Sequence, residues 1–483
     1  MKKCAVAAVA VTVTAIGACG GSGVAQFVRT SDPIIALRHV RIIDGTGGAG
    51  RDDQSLVIAD RRILAVGDAG RVPVPSNARV LDLPGRTVFP GLVGMHEHLF
   101  YQYQPPASQP EAILAQAPFA TLYLASGVTT IRTAGTLDLR GDLRIKRLID
   151  EGREPGPKIH VTGPYLNASS RDPDPEGIAR EVAAQADEGA TSFKAYTTLR
   201  ASELRAAIGA AHDRGLRITG HLCAVGFREA AALGIDNVEH GLPFDTDLYS
   251  GKQPDVCPDQ WAVFGELLRM DVTDVSIRQA ISDLVRHGVA LTSTLAVIES
   301  FTARDAAFDP RTPTVLAARL QEPYRAANEA RMDASNRGSQ MWSGILHTEM
   351  AFERAFVAAG GRLMAGVDPT GWGGVVAGFG DQRELELLVE AGLTPEQAIK
   401  VGLAIMQLQG GEGYMSRHPW ERYMRDALGL IGGQGAQEML LIQLGQHAVS
   451  EIRQRQTRME KAQRTMLDGT RRHELAVGWQ DDK

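Results

Sequence analysis

SELRAAIGAAHDRGLRITGH, residues 202–221, runs from a helix through a stop into a strand. Ser202 to Arg214 reads as an amphipathic helix, Gly215 is the residue type that ends helices, and Leu216–His221 is a short apolar strand closing on an imidazole. The device recurs at Val275–His287, Gly288 and VALTSTL (289–295). Working outward, further apolar strands lie at LVGMHEH (92–98), VTTIRTA (128–134), KIHVTGP (158–164), TSFKAY (191–196), DNVEH (236–240) and RLMAGVD (362–368), which makes eight. Several are apolar on both faces, as expected of parallel strands covered by helices. Eight such units predict an α/β fold, a closed (β/α)8 TIM barrel. Upstream, IIALRHVRIID, SLVIAD, RRILAVGD and ARVLDLPGRTVF, separated by turn residues, predict a small β layer. The connection from Glu299 to Ser343 contains Pro310, Pro313 and Pro323 and reads as a helical insertion, and Thr394–Gln397 has the form of a capping box opening a helix.

The 483 residues, 44% hydrophobic and 22% charged, exclude wholesale disorder and a disulfide-scaffold mini-protein. Lys+Arg 51 against Asp+Glu 57 gives a formal charge of −6, which disfavours nucleic acid or an anionic membrane as partner and leaves a small-molecule substrate. Lys2 and Lys3 precede an apolar run from Ala5 to Ala18, the length of a signal-peptide core and too short to span a bilayer. Its end, Ile16-Gly17-Ala18-Cys19, resembles a bacterial lipoprotein box, which makes Cys19 a lipidation candidate; an ordinary signal cut near Ala25 is the alternative. Both readings export the chain to the periplasm or cell envelope, and the first puts it on a membrane through a lipid. Beyond the signal only Cys223 and Cys257 remain, too few for a disulfide framework. A bridge between them is permitted outside the cytoplasm, but their spacing in sequence does not fix it.

Active sites of such barrels lie at the C-terminal ends of the strands. Strand one ends in His96-Glu97-His98, strand five in His221, strand six in Glu239-His240 and strand eight in Asp368, while Lys194 sits within an apolar strand. Histidines at i and i+2 on a strand share a face, so His96 and His98 can grip one divalent ion; alone, the pair also reads as polar rim. Four histidines and an aspartate on strand ends make coincidence a poor account. A buried lysine must be paired, neutral or modified, and a neutral amine can add carbon dioxide to give a metal-bridging carbamate; a snorkelling lysine is the alternative for Lys194. Asp368 can move a proton from metal-held water to a leaving group, or merely cap the next turn.

The stretches VFPGLVGMHEHL (88–99), GVTTIRTAG (127–135), EGATSFKAY (188–196), TGHLCAVGFREAAALGIDNVEHG (219–241), MAGVDPTGWGG (364–374) and GFGDQRELELLVEAGLTPEQAI (378–399) resemble the amidohydrolase superfamily. The likeness is to its imidazolonepropionase-like and Xaa-Pro dipeptidase-like branch, and it covers roughly Ile34 to Lys400. It implies a barrel with two zinc ions, His96 and His98 on the first, His221 and His240 on the second, Lys194 carboxylated by carbon dioxide and bridging, and Asp368 completing the first. A metal-held hydroxide would attack a carbonyl, and Asp368 would carry its proton to the leaving nitrogen of an amide, N-acyl or cyclic amide substrate. A lactonase or esterase on the same metals is the alternative, and a lapsed envelope lipoprotein a third reading. Candidate substrate contacts are Tyr101, Tyr165, Tyr196 and Arg132, with Tyr103 and Trp372 nearby; Arg132 could equally meet a neighbouring acid. After the fifth-strand histidine, His-Leu-Cys-Ala-Val departs from the tyrosine pattern of dipeptidase-like relatives.

The expected organisation is a signal over 1–19, a linker over 20–33, the first part of a composite β-sandwich over 34–88, the barrel over 89–400 and a divergent region over 401–483. Relatives close the β layer with a late strand-forming segment, and only IGGQGAQEMLLIQ (431–443) distantly resembles it. An open β edge could favour a homo-oligomer.

Overall fold

The computed structural model describes residues 32–59, 62–103, 111–167, 174–304, 309–333, 337–370 and 374–403, and the backbone of 428–432. The signal segment with Cys19, and Trp372, lie outside the described residues. The N-terminal layer is built from β1 (Ile34–Ile42), β2 (Arg51–Ala59), β3 (Arg62–Asp68), β4 (Arg79–Asp82) and β5 (Arg86–Pro90). β1 pairs β2 antiparallel and offers its other edge in two pieces, Ile35–Arg38 to β4 and Arg41–Ile42 to β5, with register shifts between Leu37 and Ile42. Among the described residues this layer is a single irregular sheet, with a core of its own formed by Leu37, Val40, Ile42, Leu56 and Val88.

The barrel strands follow, with β7 (Phe100–Tyr103) and β8 (Glu111–Leu114) forming a hairpin after the first of them. They are β6 (Leu92–Glu97), β9 (Val128–Thr133), a third strand split at Val161 into β10 (Lys158–His160) and β11 (Thr162–Leu166), β12 (Ser192–Ala195), β13 (Arg217–Gly220), β14 (Asn237–Glu239), β15 (Ala290–Ser293) and β16 (Leu363–Ala365). Parallel ladders run in chain order from β6 to β10 and from β11 to β16. Across the split, the Thr162 N–H donates to Thr133 Oγ1 at 2.8 Å. Between last and first strands no ladder forms among the described residues; instead the Val367 and Asp368 N–H groups donate to His96 O at 3.2 and 2.9 Å. A Cβ on Gly366 would stand 2.5 Å from the His96 nitrogen, so the two strands touch at backbone contact.

The helix Val275–His287 ends as expected on Gly288, at φ 67°, and Thr394 caps Pro395–Val401 through a capping box with Gln397. The insertion is helical, with Thr312–Val315, Ala318–Met332 and Arg337–Ala358. β17 (Leu428–Gly432) pairs antiparallel with β5, from Leu428 opposite Pro90 to Gly432 opposite Arg86. It begins ahead of the expected 431–443 segment because the apolar run is LGLI, and Gly432-Gly433 weakens its continuation as a strand. Residues 433–443 lie outside the described residues.

Candidate metal centre

His96, His98 and Asp368 bring one ligand atom each to within 4.8 Å of one another at the C-terminal rim. His98 Nε2 lies 3.3 Å from Asp368 Oδ1, and His96 Nε2 and His240 Nε2 lie 3.7 and 3.9 Å from Oδ2. The other ring nitrogens are anchored. His96 Nδ1 meets Glu239 Oε2 at 2.7 Å, His98 Nδ1 meets Gly135 O at 3.2 Å and His240 Nδ1 meets Thr294 Oγ1 at 2.8 Å. A carboxylate and a carbonyl only accept, so His96 and His98 carry their protons on Nδ1 and leave the Nε2 lone pairs facing Asp368. His221 closes the group, its ring 4.5 Å from that of His240 between centroids.

Two of these residues hold left-handed backbone, His240 at φ 69° and Asp368 at φ 47°. Such angles are uncommon outside glycine, and here they turn the chain immediately past a strand end. Burial, then Lys194, lowers His96 to about 4 and His221 to about 3, and burial drives His240 down as well, so the imidazoles are neutral donors.

Lys194 is fully buried, its Nζ 3.6 Å from Glu239 Oε1 and without a hydrogen-bond partner, and burial lowers it to about 8. The amine therefore gives up its proton at lower pH than an exposed lysine does. Glu239, noticed in the strand-end census but given no role, joins the group: Oε2 holds His96, and Oε1 accepts from Arg132 at 2.8 Å and from the Thr219 hydroxyl. Arg132, expected as a substrate contact, is buried beneath the centre and meets this acid, the other partner its chemistry allows. Tyr165 and Tyr196 stand over the centre, their rings 4.9 Å apart and Tyr196 5.1 Å from His221. Tyr101 is buried against Phe119, one layer out. Cys223, two residues past His221, is bridged to Cys257 across 34 residues, their Cα atoms 4.8 Å apart.

The donor set suits a divalent ion: neutral imidazoles, a carboxylate, and two buried orphan nitrogens, His240 Nε2 and Lys194 Nζ. Residues 87–300 match the amidohydrolase family. These residues belong to the amidohydrolase superfamily. An imidazolonepropionase from Nocardia farcinica is 33% identical over 138 residues, 28% of this chain and 31% of that protein, so the match spans about a third of the curated relative. Among solved structures similar to this amidohydrolase barrel and its sheet, the bottromycin amidohydrolase has a TM-score of 0.60 at 18% identity over 89% of this chain and 94% of that one. A Xaa-Pro dipeptidase with methionine bound in its active site has 0.57 at 17%, over 84% and 96%. The ochratoxinase of A. niger has 0.54 at 16%, over 83% and 96%. Residues 392–449 match the C-terminal domain of acyl-CoA dehydrogenases, so the stretch that departs from the amidohydrolase pattern is similar to part of another family.

Proposed function

We propose that this amidohydrolase hydrolyses a carbon–nitrogen bond in an amide, N-acyl or cyclic amide substrate, with zinc held by His96, His98, His221, His240, Asp368 and a carboxylated Lys194. The observation that carries the reading is the set of Nδ1-anchored imidazoles aimed at Asp368. A divalent ion there supplies a Lewis acid for the carbonyl and a nucleophile at neutral pH. Asp368 Oδ1, which also accepts from the Thr370 hydroxyl, is placed to take the nucleophile's proton and return it to the leaving nitrogen. Glu239 keeps His96 in its donor tautomer, and Tyr165 and Tyr196 wall the mouth where the substrate's body would lie. The Cys223–Cys257 bridge supports the reading of export to an oxidising compartment, and Cys19 is proposed as its lipid anchor from the sequence alone.

The test is metal content per chain with hydrolysis of N-acyl amino acids, cyclic amides and lactones, for the wild type and Lys194→Ala. Expected are about two zinc ions falling to one or fewer, with amide turnover lost in parallel. Folded protein that stays metal-free after zinc and bicarbonate would overturn the reading, and turnover of lactones alone would move it to an esterase.

A further inference from the structure

Barrels of this type are normally packed solid with side chains below the active site. Here the opposite, N-terminal end opens into a cavity of about 970 Å³, reaching inward to Met95, Arg132 and Thr219. Small residues, Thr191, Ser192, Gly215, Gly234 and Gly288, are among those that line it. A volume of this size is that of a small-molecule site.

Its walls are selective in charge. Arg132, Lys146, Lys158, Arg217 and Arg362 line it against one acid, Asp236. Lys146 and Lys158 share Asp150, and Asp236 is engaged by His212, Arg217 and the Ile218 N–H. Arg362 gives an N–H to Gly288 O and makes no ion pair among the described residues. At the inner end, Arg132 is more than nine-tenths buried and its Nε has no hydrogen-bond partner, although its Nη2 serves Met95 O and Glu239. Leaving a buried guanidinium N–H unmet is costly, and a carboxylate oxygen would satisfy it. The rest of the wall is apolar, with Met95, Leu216, Ile218 and Ile235.

We propose that this cavity binds a small organic carboxylate, its acid group on Arg132 Nε and its apolar body against Ile218 and Ile235, at a site separate from the metal centre. The cations at the mouth draw the anion in, and the buried one fixes it. Thr219 and Arg132 line the cavity while bonding Glu239, which places the acid directly beneath the metal centre without contact to it.

The experiment is calorimetric titration of the metal-loaded full chain with phenylacetate, with 2-phenylethanol as the neutral body and inorganic phosphate as the bare anion. Phenylacetate is expected to bind at least ten-fold more tightly than either. Leu216→Trp, which fills the cavity from its mouth and touches no group of the metal centre, should weaken phenylacetate at least ten-fold with metal content unchanged; Arg132→Gln should do the same to phenylacetate. No binding to the wild type overturns the proposal, as does equal affinity for 2-phenylethanol, which would mark a merely apolar hole. Affinity unchanged in Leu216→Trp also overturns it, because the acid would then be sitting on the metals.

Discussion

Glu239 sets the tautomer of His96 while bonding Arg132 and Thr219. It is fully buried and held below the usual carboxylate range, against burial, by Lys194, His96 and Arg132. As an obligate acceptor it forces the His96 proton onto Nδ1, and a glutamine could present its NH2 there instead. Glu239→Gln is therefore expected to lower metal affinity about ten-fold to a hundred-fold, the usual effect of losing a ligand's outer partner, with the far-ultraviolet circular dichroism unchanged. A zinc titration against a chromogenic competitor measures this, and an unaltered affinity would remove Glu239 from the design. The histidines and Asp368 gathered here could be picked out in the sequence because each is a polar residue at the end of an apolar strand, and Lys194 because it interrupts one. The role of Glu239 could not, since it rests on contact with a histidine 143 positions away. The same limit hid the cysteine bridge and the true partner of Arg132.

Elements pack around buried acids as well as around apolar residues. The helices Arg337–Ala358 and Phe379–Glu390 bring Glu349, Glu353, Asp381 and Glu384 into the interior, where Glu349 caps the Leu242 N–H at 2.7 Å and Glu384 binds Ser293 and the Ala296 N–H. Burial pushes Asp381 and Glu384 up to about 7, Glu349 to about 8 and Glu353 well above the ordinary range. Between about pH 4.5, where the unfolded chain's carboxyls ionise, and pH 7 to 8, the folded state holds protons that the unfolded state has released. Stability should accordingly fall as pH rises through that window, seen as a falling urea midpoint of the metal-free protein from pH 5 to 8. Glu353→Gln should flatten the fall, and a midpoint that climbs would contradict the account. At the junction of last and first strands, Gly366→Ala meets His96 backbone, which cannot step aside, and is expected to destabilise by about 1–3 kcal/mol. Strand positions were legible to within a few residues because parallel strands are apolar on both faces and glycines stop the helices before them. The acids on these helices were not, since a charged helical residue reads as solvent-facing until its neighbours are placed.

At the scale of the whole molecule, the chain joins an amidohydrolase-like barrel to a tail similar to part of another family; among the described residues the matched tail meets the rest through the Pro395–Val401 helix and Gly402, whose carbonyl accepts from the Val93 N–H at 2.7 Å, and through β17. β17 lies inside the acyl-CoA dehydrogenase match, yet its backbone covers the edge of β5, where relatives were expected to supply a strand of their own. That reading of the sequence could say an edge needed covering but not which residues would do it, because a short apolar run flanked by glycines is a weak strand signal. β5 runs almost directly into β6, with Gly91 alone between them, and β6 carries His96. An uncovered edge presents unpaired backbone groups to other chains, so ending the protein after Leu403 should lower its melting temperature and promote association. The residues proposed to hold the metal stand at the C-terminal ends of the barrel strands and not on this edge, so the fraction that stays monomeric should retain the metal content of the full chain. Sedimentation and elemental analysis of the truncated protein test both halves. A monomer as stable as the full chain would show that β17 protects nothing, and a stable monomer stripped of metal would show instead that the tail supports the centre through contacts beyond those of β17.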